Sequence, residues 1–313
     1  MIRIGFFGTP TLSAQVLQDF LDSSEFDVVF VVTGEDKAIG RHQVLTTNPV
    51  KTLALDHNLP IFQPSRIRDN QIFLDAIQSY EADYFVVVAY GKILPREVLS
   101  IPRKYPINIH GSILPKYRWA SPIQASLIAW EHKTGVTIMI MNEKMDEWDI
   151  VDIKEINIHK HETTETLFQK FADISGIFAR ETILRLEAWT IAPQPQNHAE
   201  ATFCKKITKE EWLLKFQQNA EELYHLYQGL TPWPGIFTMY HGKKLIIENC
   251  FYEDYSDAQA KIGTVVRFNN NIWIICSKWI LTLSQLKLEW KKSQFIHEFL
   301  NGQQSFIGST LPN

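Results

Sequence analysis

The chain has 313 residues, of which 45% are hydrophobic and 21% are charged, and its mean hydropathy is −0.14. This composition excludes a disordered chain and collagen-like or coiled-coil proteins, because enough apolar mass is present for a packed core. The net charge of −4 lacks the basic excess that usually accompanies nucleic-acid binding. The length predicts roughly two domains.

The N-terminal two-thirds of the chain alternate short apolar strands with helical segments. This alternation predicts an α/β fold with a mostly parallel, doubly wound, Rossmann-like sheet. Ligands of such sheets bind outside the carboxyl ends of the strands. The predicted strands cover residues 2–8, 26–33, 84–90, 106–110 and 135–141, and the predicted helices cover 12–21, 49–58, 122–129 and 164–188.

A proline-containing segment marks a change in pattern. Residues 1–189 form the predicted first domain, 190–206 a linker and 207–313 a second domain. Short β-like runs separated by turn residues fill that second domain, which is typical of a small barrel or sandwich.

Targeting and metal-binding signals are missing from the sequence. The first ten residues carry one positive charge and only a short apolar run, which predicts a core strand rather than a signal peptide. No apolar stretch approaches the ~20 residues of a transmembrane helix. We therefore expect a cytoplasmic protein without membrane attachment. The ten histidines show no metal-ligand spacing, so we expect no metal.

Two polar residues at the end of the strand 106–110 are the first candidates for chemistry. Asn108 and His110 are two residues apart, so their side chains face the same side of a strand. An amide donor beside an imidazole can stabilise an oxyanion and manage a proton. A capped strand end with a hydrogen-bonded histidine is the alternative interpretation.

A carboxylate could complete this pair. Asp146 follows the strand 135–141, and a carboxylate at its carboxyl end could orient and charge-tune His110. Spacing alone makes Glu143, Glu147 and Asp149 equally plausible, and a solvated acidic loop remains the other possibility.

The loop 34–47 is long for a connection between a strand and a helix, and long loops are often functional. It contains Lys37 and Arg41, and Lys51 lies just beyond it. A flexible solvated loop is the alternative interpretation of the same residues.

Six motifs together resemble the methionyl-tRNA formyltransferase family along nearly the whole chain. The Asn-x-His…Ser-x-Leu-Pro motif with a distant Asp is typical of the wider folate-dependent formyltransferase superfamily. The basic loop, the Pro-Trp-Pro-Gly motif and the C-terminal domain favour the tRNA enzymes. The motifs are Phe7-Gly8-Thr9-Pro10, Asp36-Lys37 with Gly40-Arg41 and Pro49-Val50-Lys51, the run from Val87 to Pro95, the run from Asn108 to Pro115, the run from Gly135 to Met139, and Pro232-Trp233-Pro234-Gly235.

The resemblance implies an enzyme of translation initiation that transfers formyl from 10-formyltetrahydrofolate to the amino group of methionyl-initiator tRNA. It implies that Asn108 and His110 stabilise the tetrahedral intermediate, and that Asp146 partners His110 and helps to relay the proton of the amine. The formyl donor is a cosubstrate, and no metal is implied. The folate site would be lined by Tyr90, Gly91, Ser112, Ile113, Leu114 and Pro115.

The resemblance also implies contacts with tRNA by a monomeric enzyme. Lys37 and Arg41 would contact the acceptor end, and an OB-like C-terminal domain would follow the tRNA backbone. Residues 207–313 contain ten basic and ten acidic residues. Binding therefore requires a local cluster of lysines on one face of that domain. The candidates are Lys243, Lys244, Lys291 and Lys292.

Tryptophan and glycine depart from normal usage. The chain has nine tryptophans and only 14 glycines in 313 residues, against an average glycine usage of about 7%. Seven tryptophans stand where members of the family commonly have glycine. We hypothesise that UGA codons read as glycine in the native code have been rendered as tryptophan. The seven positions are Trp119, Trp130, Trp148, Trp189, Trp212, Trp279 and Trp290, whereas Trp233 and Trp273 look native.

Two other functions remain open from the sequence. The first is another folate-dependent formyltransferase, acting on the amine of a sugar nucleotide. The second is a non-catalytic folate or tRNA binder, if Trp119 and Trp148 are truly tryptophan. The presence of all three catalytic candidates argues against the second.

Overall fold

A computed structural model describes residues 1–39, 44–208, 212–255 and 260–312. Its strands are β1 (Ile2–Gly8), β2 (Phe26–Val32), β3 (Lys37–Ile39), β4 (Val44–Thr46), β5 (Ile61–Phe62), β6 (Tyr84–Val88), β7 (Tyr105–His110), β8 (Arg118–Trp119), β9 (Lys133–Ile140), β10 (Ile150–Asn157), β11 (Phe203–Cys204), β12 (Ile236–Tyr240), β13 (Lys243–Glu253), β14 (Val265–Phe268), β15 (Asn271–Ile275), β16 (Ile280–Leu288) and β17 (Gln294–Phe295). Its α-helices are α1 (Thr11–Leu21), α2 (Pro49–Asp56), α3 (Gln71–Gln78), α4 (Arg96–Leu99), α5 (Pro122–Ile128), α6 (Thr164–Glu187), α7 (Ala220–Leu230) and α8 (Ile296–Gly302). Within these described ranges, no helix combines the length and the apolar character needed to cross a membrane.

The chain forms two compact units. The first comprises residues 1–122, 133–157 and 168–204, and the second comprises the short segments 123–132 and 158–167 together with 205–313. Both short segments lie within the predicted first domain but pack with the C-terminal residues. The domain borders drawn from the sequence stay a prediction.

The first unit is built on a seven-stranded sheet in the order β10-β9-β7-β6-β1-β2-β5. The five strands from β7 to β5 are parallel to one another, which confirms the predicted Rossmann-like sheet. The apolar runs of β2 and β6 are buried along almost their whole length, as expected for strands covered on both faces. The edge strand β10 was not predicted, because its polar residues are half-exposed and interrupt the apolar pattern.

One strand runs opposite to its neighbours and changes how Asp146 reaches the site. β9 is antiparallel to β7, and its last residue, Ile140, pairs with Ile107. The carboxyl ends of β9 and β7 therefore lie at opposite edges of the sheet. The expectation that Asp146 reaches His110 from the carboxyl end of a neighbouring strand was wrong. Asp146 lies instead in the loop 141–149, which connects β9 to β10.

The long loop 34–47 contains a short hairpin of β3 and β4. Lys37 lies on β3 with its side chain exposed, and Arg41 lies outside the described residues. The base of the loop is fixed by a half-buried ion pair, because Lys51 Nζ donates to Asp36 Oδ2 at 2.6 Å. The loop is thus anchored at its base, next to the N-terminus of α2.

The second unit contains a six-stranded antiparallel sheet. Its order is β12-β13-β16-β15-β14, with β17 also paired to β16. One face packs on α7 and α8 around a core in which the central side chains are fully buried. That core includes Phe216, Leu223, Ile236, Ile274, Leu281, Leu286 and Phe306. The sequence identified most of these strands because their apolar residues recur in short runs between turns.

We predict that Gly135→Ala destabilises the first unit by about 1–3 kcal/mol, because the position is overpacked. A Cβ at Gly135 would lie 2.6 Å from the Lys154 carbonyl oxygen and 2.9 Å from Ile113 Cγ1. Gly302→Ala is the control, since no atom lies within 4 Å of its Cβ position. Thermal unfolding measures both variants, and equal melting temperatures would contradict the prediction.

Candidate functional site

The first two candidate residues, Asn108 and His110, lie on the same side of β7, as the two-residue period of a strand predicts. His110 is buried, with 6% of its surface exposed, and Asn108 is half-buried on the same side of the strand. Among the described residues, none forms a hydrogen bond with the Asn108 carboxamide. Its N–H and C=O groups are therefore available to a ligand beside the His110 ring.

The His110 ring lies between two oxygen atoms. Nε2 is 3.1 Å from the carbonyl oxygen of Tyr117, and Nδ1 is 3.8 Å from Asp146 Oδ2. A carbonyl oxygen can only accept, so Nε2 carries a hydrogen and donates it to Tyr117. A neutral ring then turns the lone pair of Nδ1 toward the carboxylate, and a proton added at Nδ1 completes an ion pair. The Nδ1 atom of His110 and the Asp146 carboxylate therefore face each other across 3.8 Å.

Asp146 is fixed by a backbone donor. Its side chain is 11% exposed, and Oδ2 accepts a hydrogen bond of 2.8 Å from the N–H of Trp119. Both residues have left-handed backbones, with φ of +58° at Asp146 and +86° at Trp119. Two of the three other acidic candidates have different neighbours: Glu143 is 4.0 Å from Arg96 and Glu147 is 3.9 Å from Arg118.

A buried polar bridge supports the loop that carries Asp146, and the sequence did not predict it. Gln196 Nε2 donates to the carbonyl oxygens of Asp146 and Trp148, at 3.0 and 2.6 Å. Gln196 Oε1 accepts from Arg118 Nη2 at 2.7 Å, and Arg118 is only 2% exposed. The signal in the sequence was weak, because Gln196 lies in the proline-containing segment that resembles a linker.

The run from Ser112 to Pro115 follows directly on His110. The Ser112 hydroxyl donates to the Lys116 carbonyl at 2.6 Å, and Thr137 Oγ1 donates to the Ser112 carbonyl at 2.6 Å. Leu114 is buried, and its N–H donates to Thr137 Oγ1 at 3.2 Å. These bonds close the loop over β9, and they leave Ile113 and Pro115 half-exposed on its surface.

Tyr90 and Gly91 follow β6, the neighbour of β7. The Tyr90 ring packs edge-on against Phe7 with the ring centres 5.8 Å apart, and no described residue hydrogen-bonds to its buried hydroxyl. Burial raises the pKa of Tyr90 to about 12, so the phenol stays protonated at neutral pH. Gly91 has φ of +79° and open space at its Cβ position, which leaves the backbone accessible there.

No group of three or more His, Cys, Asp or Glu side chains within the described ranges is arranged to hold a metal ion. The structure thus brings together Asn108, His110 and Asp146, while Lys37 lies on the separate β3–β4 hairpin.

Comparisons with known proteins agree with this geometry. The family model described as "Formyl transferase" matches residues 2–183, and the model described as "Formyl transferase, C-terminal domain" matches residues 206–304. A methionyl-tRNA formyltransferase from Caldicellulosiruptor saccharolyticus is 36% identical over 310 residues, which cover 98% of this chain and 99% of the relative.

Solved structures show the same fold. The N-formyltransferase from Helicobacter canadensis, solved with folinic acid and dTDP-3-aminofucose, has a TM-score of 0.65 at 15% identity and covers 90% of this chain and 99% of its own. The methionyl-tRNA formyltransferase from Clostridium thermocellum has a TM-score of 0.57 at 17% identity, covering 82% of this chain and 96% of its own. With both family models matched and a full-length relative at 36% identity, the chain belongs to the formyl transferase family.

Proposed function

We propose that the chain transfers the formyl group of 10-formyltetrahydrofolate to the amino group of methionyl-initiator tRNA. The observation that carries this reaction is the buried His110 ring held beside the Asp146 carboxylate, with the Asn108 amide next to it. The choice of acceptor rests on the similarity to methionyl-tRNA formyltransferases over the full length of the chain. An enzyme of translation initiation works in the cytoplasm, and we place this one there as a monomer.

The reaction replaces one carbon–nitrogen bond of the formyl group with another. The methionyl amine attacks the formyl carbon, its carbonyl oxygen becomes an oxyanion, and the bond to the folate nitrogen then breaks. The Asn108 N–H donates to the oxyanion, and a protonated His110 ring adds positive charge beside it. Asp146 balances that charge and accepts the proton lost by the amine, which finally reaches the departing folate nitrogen.

The folate would lie along the loops that follow β6 and β7. Ile113 and Pro115 offer half-exposed apolar surface close to His110, the buried Leu114 lies between them, and Ser112 shapes their loop through its bond to Lys116. The open backbone at Gly91 admits close approach of a flat ligand. The neutral Tyr90 phenol has a buried hydroxyl to offer to a polar group of that ligand.

The tRNA contacts would come from two basic regions. The first is the β3–β4 hairpin, on which Lys37 is exposed, and Arg41 of the same loop lies outside the described residues. In the second unit, Leu245 of β13 pairs with Leu288 of β16, and the Glu289 N–H donates to the Lys244 carbonyl at 2.8 Å. This pairing brings four lysines to one end of the sheet. They are Lys243, Lys244, Lys291 and Lys292.

A sugar-nucleotide acceptor is the alternative within the same chemistry. Its support comes from sugar N-formyltransferase structures at 15–18% identity, and a similarity at that level shows a shared fold and not a shared substrate. The deciding experiment offers the two formyl acceptors side by side, charged initiator tRNA and a dTDP-amino sugar, with radiolabelled formyl-folate as the donor. Formylation of the sugar and not of the tRNA would overturn the proposed acceptor.

We predict that His110→Ala lowers kcat about 10²–10⁴-fold and leaves the affinity for formyl-folate nearly unchanged, because the ring acts on the transition state. Single-turnover formylation and equilibrium folate binding measure the two quantities. His57→Ala is the control, since His57 is exposed at the end of α2. Equal losses in turnover and folate affinity would contradict the role of His110.

We predict that Gln196→Leu lowers kcat about 10- to 100-fold with little change in KM, because the Asp146 loop loses two hydrogen bonds and shifts. Gln194→Leu is a matched control on the same segment, because the Gln194 side chain is exposed and bonds only to the nearby Ala192 carbonyl. If the two variants had the same kcat, Gln196 would not position Asp146.

We predict that replacing Lys243, Lys291 and Lys292 by Ala weakens tRNA binding and flattens its salt dependence. Each lysine that contacts a phosphate contributes about 0.7–0.9 to the slope of log K against log salt. Lys244 is left intact because its ammonium lies 3.7 Å from the Phe237 ring centre. The exposed Lys261→Ala is the control, and an unchanged salt slope in the triple variant would rule out this surface.

A further inference from the structure

The tryptophans of this chain have backbone conformations that normally belong to glycine. Every Trp, Tyr and Phe lies in the described part of the chain. Five of the nine tryptophans have positive φ, compared with one of ten tyrosines and none of 19 phenylalanines. A bulky L-residue is a genuine outlier in this region, because its Cβ approaches the following carbonyl oxygen. The five are Trp119 (+86°), Trp130 (+56°), Trp189 (+55°), Trp279 (+65°) and Trp290 (+64°).

Two of the five lie at the position that ends a helix. After α6, the Trp189 N–H donates to the Leu186 carbonyl and the next N–H donates to the Arg185 carbonyl. After α5, the Trp130 N–H donates to the Leu127 carbonyl in the same pattern. Both are Schellman motifs with tryptophan at C′, where the left-handed conformation strongly favours glycine.

Two others lie in turns between strands. Trp290 is the third residue of a turn in which the Lys291 N–H donates to the Leu288 carbonyl at 2.9 Å. A third residue with positive φ after one with negative φ is the place of glycine in a type II turn. Trp279 precedes β16 in the hairpin from β15, where a left-handed residue is again usually glycine.

The fifth lies in the candidate active site. The N–H of Trp119 holds Asp146, and Trp119 itself has a left-handed backbone with φ of +86°. The indole itself is 45% exposed and contacts Phe203, with ring centres 4.6 Å apart. Position 119 thus combines a left-handed backbone, an exposed indole and a backbone donor to the Asp146 carboxylate.

The exposure of the side chains argues in the same direction. Trp189 and Trp290 are 91% and 89% exposed, so their large apolar rings gain almost nothing from burial. Trp273, with a backbone outside the left-handed region, is 4% exposed inside the second unit. Trp273 is therefore packed, whereas each tryptophan with a left-handed backbone is at least partly exposed.

We infer that positions 119, 130, 189, 279 and 290 are glycine in the protein that the source cell makes, encoded by UGA codons that it reads as glycine. The inference does not extend to Trp148 and Trp212, because their backbones are outside the left-handed region. It does not rest on the proposed function, and it removes the indole that would stand beside Asp146 at position 119.

The direct test is the protein from its own source together with its gene. We expect UGA at the five codons and UGG at Trp233 and Trp273, and peptides whose masses contain glycine at the five positions. Tryptophan in those peptides of the natively made protein would overturn the inference. So would UGA at Trp273, because a single codon cannot specify both a packed indole and these turns.

A second test uses recombinant variants and separates the backbone from the indole. Trp189→Ala and Trp290→Ala remove the ring but keep the Cβ, whereas Trp189→Gly and Trp290→Gly also relieve the left-handed strain. We expect each glycine variant to melt about 2–4 °C above its alanine counterpart. At Trp233, which is 50% exposed without positive φ, alanine should equal or exceed glycine. Alanine variants as stable as the glycine variants at 189 and 290 would contradict the inference.

Discussion

The Asp146 carboxylate is held beside His110 by the backbone N–H of a residue in the left-handed conformation. This one hydrogen bond links the conformation of position 119 to the charge that faces the imidazole. A side-chain donor at this place could adopt several rotamers and lose the bond, whereas the direction of a backbone N–H is fixed by the strand that carries it. The residue that holds Asp146 thus has a backbone conformation that glycine adopts without strain.

The second support of the site is the amide of Gln196. It donates through Nε2 to two carbonyl groups of the Asp146 loop and accepts through Oε1 from the buried Arg118, so both ends of the side chain are satisfied. Arg118 brings a charge into the interior, and this is tolerated because several acceptors surround the guanidinium. Most of the segment predicted as a linker, up to residue 204, thus packs within the first unit. It also pairs with the sheet, since Gln194 and Ile150 exchange two backbone hydrogen bonds.

Much of the fold was predictable, because buried apolar residues recur along the sequence with the period of the strand or helix that carries them. Continuous apolar runs gave β2 and β6, and the length and spacing of apolar residues gave α6. The direction of β9 was not predictable, since an apolar run is the same in either direction. The β3–β4 hairpin was missed because its short strands are exposed. The four lysines of the second unit were candidates from the sequence, and only the register of β13 with β16 placed them together.

The sequence by itself determined which groups are candidates for the chemistry. The spacing of Asn108 and His110 on one strand fixes their common face, and the motifs around them identify the family. Tertiary structure decided which of four acidic residues reaches the imidazole, because that depends on a loop between antiparallel strands. The tertiary structure also decided which tryptophans have the backbone conformation of glycine, whereas the composition had suggested only that some of them replace it. The composition gives only the number of tryptophans, whereas the backbone dihedral angles distinguish the five left-handed positions from Trp148 and Trp212.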